Sequence, residues 1–231
     1  MAHKPFSPLG YVRKHWVWLL ANVGGLIPLV LLISGYSSGR WVDPVAEVTN
    51  RTGLAALIML VASLAVTPIN TVLGWRQIIP ARKPLGLYAS LYAALHLLNF
   101  IGVDYAFDVR AFLDDALLQK RYMIVGISAF LILLPLAITS TKWWMKRLGR
   151  NWKRLHQLVY VAGILAVLHF LWLVKIDIRE PLIYGAILAV LLILRLPPVR
   201  QFFTGLRLKA PAAGRSTPRK GAAKAPVAAE G

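Results

Sequence analysis

"LHQLVYVAGILAVLHFLWLV" (Leu155–Val174) runs for twenty residues without a formal charge. At about 1.5 Å per residue, a helix of that length covers roughly 30 Å, the thickness of a bilayer's hydrocarbon core. In that medium a helix satisfies its own backbone hydrogen bonds, so the stretch predicts a transmembrane helix. Outward from it, comparable apolar stretches occupy Trp16–Gly35, Gly53–Ile69, Pro84–Val103, Tyr122–Ile138 and Pro181–Leu196. The last is the shortest: fourteen uncharged residues precede Arg195, so it requires that arginine to snorkel to the headgroups, or the bilayer to thin. The alternation of barrel strands is absent. With 58% apolar residues in 231, the expected fold class is an all-α, six-helix transmembrane bundle rather than a soluble domain.

Basic residues set the orientation. With the N-terminus inside and six crossings, twenty of the twenty-seven lysines and arginines fall on the inner side, and eight of the nine acids fall outside. The lysine and arginine bias predicts N-in, C-in. The first span follows Lys4, Arg13 and Lys14 as a secretory signal would, but its apolar run is too long and no small-residue cleavage site follows, so it is expected to be retained. The formal charge of +18 lies beside the spans, which points to anionic lipid and not to nucleic acid. Three regions are expected: a basic cytoplasmic segment 1–15, a transmembrane domain 16–197, and a disordered basic tail 198–231 rich in alanine, proline and lysine.

The chain has no cysteine, which excludes covalent c-type haem, thiolate-held iron–sulfur clusters and disulfide relays. It has five histidines. His3 and His15 belong to the basic N-terminal segment, whereas His96, His156 and His169 fall within spans, where an ionisable side chain usually marks a function or a specific partner. No aspartate or glutamate lies within any span, so a proton relay or a carboxylate-containing metal site lacks its usual partners. His156 and His169 are roughly 20 Å apart along one helix and cannot share a metal ion. A haem needs only one imidazole on each face, from two helices, with the apolar macrocycle filling the space between. Measured from the cytoplasmic end, His96 is about 18 Å deep, His156 about 6 Å and His169 about 25 Å. The smaller mismatch pairs His96 with His169, placing a haem in the outer half of the membrane. His156 then lies near the inner face, serving either a second haem with a different opposite ligand or another cofactor. In a straight helix it would sit about 140° around the axis from His169, so a bend or two separate clefts are required.

The stretches "RKPLGLYASLYAALHLLNF", "KRYMIVGISAFLILLPLAITS" and "NWKRLHQLVYVAGILAVLHFLWLVK", with "SLAVTPI" closing the second span, carry a family resemblance. From about Leu54 to Val174 the chain resembles the haem-binding membrane subunits of bacterial periplasmic protein-methionine-sulfoxide reductase systems, within the ferric-reductase-like transmembrane superfamily. The resemblance implies a multi-pass protein of the bacterial inner membrane holding haem b, one or two per chain, with His96, His156 and His169 as axial ligands to the iron. It also implies FMN, with contacts not assigned to residues, and electrons drawn from the quinone pool as quinol. Their destination would be a periplasmic molybdopterin-containing reductase subunit, on which sulfoxide reduction takes place. Ferric reductases usually carry two histidines on each of two helices, whereas the third span here has one. They also append a flavin and nicotinamide module, and this chain lacks the length and the strand-linked G-x-G-x-x-G for it.

Haem propionates favour cations at the membrane surface. For an outer haem the candidates are Arg110, Lys120 and Arg121; for an inner one, Arg82, Lys83, Lys153 and Arg154. Trp143, Trp144 and Trp152, like Trp16 and Trp18, sit at headgroup level as interfacial anchors. Two rival functions remain at this stage: a stand-alone transmembrane ferric or other metal reductase, and a non-redox transporter or assembly protein with structural histidines.

Overall fold

A computed structural model describes residues 8–118 and 120–209. It is all-α, as expected. Ten α-helices follow in order among the described residues: α1 (Pro8–Ser37), α2 (Pro44–Leu73), α3 (Arg82–Asn99), α4 (Val109–Leu118), α5 (Arg121–Ile138), α6 (Lys142–Leu148), α7 (Arg150–Gln157), α8 (Val159–Leu173), α9 (Arg179–Ile193) and α10 (Pro197–Lys209). Among the described residues, five helical stretches are long and apolar enough to cross a membrane, and a sixth crossing exists if α9 and α10, bent by 73°, count as one broken span. The expected six therefore hold on that condition, and the weak member is the one whose length fell short.

The ends of α2 show why the chain turns where it does. Asp43 caps its start, accepting a hydrogen bond from the Ala46 amide at 3.0 Å, with Pro44 in the first turn. Gly74, at φ 71°, closes the other end by donating to the Asn70 carbonyl. The bundle core is built from small and branched residues: Ala55, Leu60 and Leu64 of α2, Ala89 and Tyr92 of α3, Leu133 of α5, Ala162 of α8, and Leu188 and Leu191 of α9. Ala89 and Ala162 are completely buried, the small-residue device by which membrane helices approach closely. Apolar side chains such as Val30, Leu131 and Ile193 are exposed on the outside, where lipid is their solvent.

Three sequence expectations change. The fifth span is not one unbroken helix: α7 stops at Gln157, the Leu158 amide bonds the Leu155 carbonyl in a tighter turn, and α8 starts at Val159. This interruption separates His156 from His169. Arg195 does not depend on snorkelling: its guanidinium turns inward, donating to the Tyr160 hydroxyl at 2.7 Å and to the Leu64 carbonyl. Finally, the tail expected to be irregular from residue 198 is helical as far as Lys209. Pro197 and Pro198 fit a helix's first turn, and α10 runs against α2 while Phe202 and Leu206 stay exposed. The remaining tail, residues 210–231, and residues 1–7 of the N-terminal segment lie outside the described residues.

Helix α1 is held to α3 by a polar insertion. Pro28 interrupts its ladder, and the buried Tyr92 hydroxyl enters the adjacent rung, donating to the Gly25 carbonyl and accepting from the Leu29 amide at 3.1 Å. Gly25 must lack a side chain, because a Cβ there would come within 2.2 Å of the Tyr88 ring. Tyr92→Phe removes the shared hydroxyl, with an expected loss of about 1–3 kcal/mol. The measurement is thermal unfolding of the detergent-solubilised protein, in which Gly25→Ala is expected to be the more damaging change.

Candidate functional site

His96 and His169 meet. Their ring centroids are 6.1 Å apart with planes at 82°, His96 projecting from α3 and His169 from α8. The two rings are held in the same way. His96 Nδ1 lies 2.8 Å from the Thr49 carbonyl of α2, and His169 Nδ1 lies 2.8 Å from the Tyr122 carbonyl of α5. A carbonyl only accepts, so each Nδ1 carries the proton and each Nε2 presents its lone pair. That is the tautomer a metal-binding imidazole needs, and the carbonyl partner fixes ring orientation and raises ligand basicity.

A glycine supports each ring. A Cβ on Gly53 would sit 3.0 Å from His96 Nδ1, and one on Gly126 would sit 2.7 Å from His169 Nδ1. Each glycine lies four residues after the carbonyl that its histidine uses, and each histidine lies 47 residues after that carbonyl. One arrangement thus occurs twice, on α2 with α3 and on α5 with α8. Asn99 extends the first: its Nδ2 donates to Thr49 Oγ1 at 2.6 Å and to the Val45 carbonyl at 3.2 Å.

Both rings face a cavity of about 540 Å³ lined chiefly by apolar side chains of α2, α3, α5 and α8, including Leu57, Leu60, Phe130 and Leu133. That volume is in the range of cofactor sites, about 300–1,000 Å³. Among the described residues no group of three or more His, Cys, Asp or Glu could hold a bare metal ion. A haem, however, fits the donor set. With metal–nitrogen bonds of about 2 Å, imidazoles on opposite faces of one iron have ring centres about 6 Å apart. The 6.1 Å between the two ring centres matches that spacing.

The cavity occupies the end of the bundle where α2 and α5 begin and α3 and α8 finish, the end expected to face outward. Phe112 of α4 closes it from above and is almost fully buried, packing its ring against Phe100 and Tyr105. Asp115 and Lys120 clamp this lid, 2.9 Å apart, with the Tyr105 hydroxyl bonded to both. The hydrogen bond to Asp115 pushes the Lys120 pKa up, and the reciprocal bond holds Asp115 below its ordinary value. Lys120 is thereby committed to the lid. Neither it nor Arg110 nor Arg121 lines the cavity, where the charged residue at the rim is Glu180.

His156 stands apart at the opposite end. It stacks on Trp152 at 3.9 Å between ring centres, and its Nδ1 lies 3.1 Å from the Trp152 carbonyl. Its Nε2 is buried without a hydrogen-bond partner. Of the inner propionate candidates, Lys83, Lys153 and Arg154 are exposed, and Arg82, also exposed, lies close enough for its charge to act on His156. Of the three histidines singled out in the sequence, the structure brings His96 and His169 together and sets His156 apart, and Gly53, Gly126, Phe112 and the inward turn of Arg195 were not among the sequence candidates. The signal for the glycines, a repeated 47-residue spacing from a glycine-supported carbonyl to a histidine, is readable only once the carbonyls are known.

Comparison with known proteins identifies the family. Residues 52–167 match the ferric reductase like transmembrane component family. A protein-methionine-sulfoxide reductase heme-binding subunit MsrQ of Xanthomonas euvesicatoria pv. vesicatoria is 48% identical over 183 residues, 75% of this chain and 82% of the relative. One of the same description from Xanthomonas campestris pv. campestris is 52% identical over 153 residues, covering 65% of this chain and 68% of the relative. Another, from Rhodospirillum rubrum, is 43% identical over 178 residues, covering 76% and 85%. The chain belongs to the family of heme-binding subunits of protein-methionine-sulfoxide reductase, within the ferric-reductase-like transmembrane proteins.

Proposed function

We propose that the chain is a multi-pass inner-membrane electron carrier that holds haem b between His96 and His169. In this reading it takes electrons from the quinone pool, directly or through FMN, and delivers them to a periplasmic molybdopterin-containing subunit that reduces methionine sulfoxide in oxidised envelope proteins. The observation that carries the reading is the opposed histidine pair, each with its Nδ1 proton committed to a carbonyl. When bound, the haem supplies a one-electron couple. Held between His96 and His169, the haem would be shielded by protein side chains from substrate and dioxygen, which suits electron transfer rather than activation chemistry. The apolar cavity walls exclude water, and the hydrogen-bonded, electron-rich imidazoles favour the oxidised iron and so lower the potential. On the inner face, basic loops and α10 rest on anionic lipid and hold the N-in, C-in orientation.

Oxidised and dithionite-reduced spectra of the purified protein are the primary test: a Soret band that sharpens on reduction is expected, and its absence after haem-sufficient expression refutes the reading. Reoxidation of the reduced protein by the purified periplasmic subunit plus a methionine sulfoxide substrate then separates this role from that of a stand-alone metal reductase.

Haem content per chain tests the ligands. His96→Ala is expected to abolish the haem, and His169→Ala to cost more haem than His156→Ala. The supporting glycines rank in a defined order: Gly126→Ala drives a Cβ into the His169 ring and is expected to lower haem occupancy severalfold, whereas Gly53→Ala, with about 0.3 Å more room at His96, lowers it less.

A further inference from the structure

The two carbonyl, glycine and histidine arrangements belong to a larger repeat. One offset, 73 residues, separates Thr49 from Tyr122, Gly53 from Gly126 and His96 from His169. The same offset separates Ala89 from Ala162, both completely buried. Of the 25 residues that line the cavity, 22 fall into eleven pairs at this offset, and the exceptions are Phe112, Val174 and Glu180. The helices repeat in the same sense. α2 and α5 both begin at the outer end, α3 and α8 both finish there, and the packing of α3 on α5 is matched by that of α8 on α2. This is the pattern of a two-fold axis that runs along the bundle between the two histidines and exchanges them.

Repeated walls constrain what the cavity can recognise. Five of the eleven pairs are the same residue type. Where the apolar pairs differ, the larger side chain is not confined to one hairpin: Phe130 and Phe170 stand opposite Leu57 and Leu97, but Phe100 stands opposite Leu173. The polar lining residues Thr49, Asn50 and Glu180 are all at the outer end. The acid side chains of a porphyrin need such an end, which directs the rest of the macrocycle into the apolar interior. Protohaem has a near two-fold of its own, about the line that bisects its propionates. Turning it over about that line exchanges its faces and swaps two methyls with two vinyls, while the propionate edge stays in place. The axis of the cofactor then coincides with that of the protein.

We infer that the cavity recognises the acid-bearing edge of an iron porphyrin but not its face, so that haem occupies it in two orientations. The inference rests on the proposed haem between His96 and His169, and both orientations give the iron the same two imidazoles. A vinyl exceeds a methyl by one carbon, and each orientation loses at one position what it gains at another, so the two populations are expected within about tenfold of each other. The ratio is set by the pairs that differ, Leu57 with Phe130 among them.

The test is proton NMR of the full chain in detergent micelles, in the ferric form, where the unpaired electron moves haem methyl resonances clear of the protein envelope. Protein loaded with protohaem IX is expected to show two sets of four methyl lines. Loaded instead with the symmetric isomer protohaem III, supplied to a haem-auxotrophic expression host, it is expected to show one set. Phe130→Leu and Leu57→Phe each make that pair identical, and each is expected to change the ratio of the two sets by about twofold or more, the scale of part of a methylene contact. The ratio is read among haem-loaded molecules, so a change in occupancy does not enter it. A single set with protohaem IX, a doubling that persists with protohaem III, or a ratio that neither variant moves would overturn the proposal. A wild type that holds no haem would instead refute the His96–His169 reading, and the two orientations would fall with it.

Discussion

An imidazole can offer a lone pair to a metal only if its other nitrogen has somewhere to place a proton. In a helical membrane protein that is a demanding condition, because the carbonyls nearest to hand are engaged in helix ladders and water is scarce. The solution here is to share a carbonyl already in use. In an α-helix the carbonyl of residue i points toward residue i+4, so a ring approaching it from a neighbouring helix must pass over the side chain at i+4. Glycine at 53 and at 126 removes that obstacle, and the rings of His96 and His169 lie directly on the bare backbone.

Much of the architecture follows from this. The glycines bring α3 against α2 and α8 against α5, the two most extensive helix pairings in the bundle. The alanines that pack to full burial, Ala89 and Ala162, continue the same close approach away from the histidines. The cavity is then the space left between the two pairs, and the Phe112 lid covers its open end. Helix α1, by contrast, is an addition to this unit, attached through the Tyr92 hydroxyl in a rung loosened by Pro28.

Much was legible before any coordinates. Apolar length alone located the spans, since lipid imposes a length requirement that a soluble core does not. Depth along the helices, counted at a constant rise, was enough to pair His96 with His169 and set His156 apart. What sequence could not express was anything carried by backbone atoms or by the absence of atoms: the Thr49 and Tyr122 carbonyls have no residue identity, and a glycine in an apolar run looks like any other small residue. The Leu158 interruption was also hidden, because nothing in "HQLVYV" breaks a helix. Arg195 was misread because a lone arginine near a span's end ordinarily escapes to water; here the Tyr160 hydroxyl and the Leu64 carbonyl draw it inward.

The committed Nδ1 protons bear on energy conservation. A ligand whose proton is locked to a backbone carbonyl does not exchange it as the iron changes oxidation state, so charge moves through this end of the bundle as bare electrons. In the proposed orientation that movement is outward, down an inside-negative membrane potential worth about 2.3 kcal/mol per elementary charge per 100 mV for a full crossing. Repair of the cell envelope through such a subunit would be electrogenic, drawing on the energised membrane as well as on the reductant and faltering when that potential collapses.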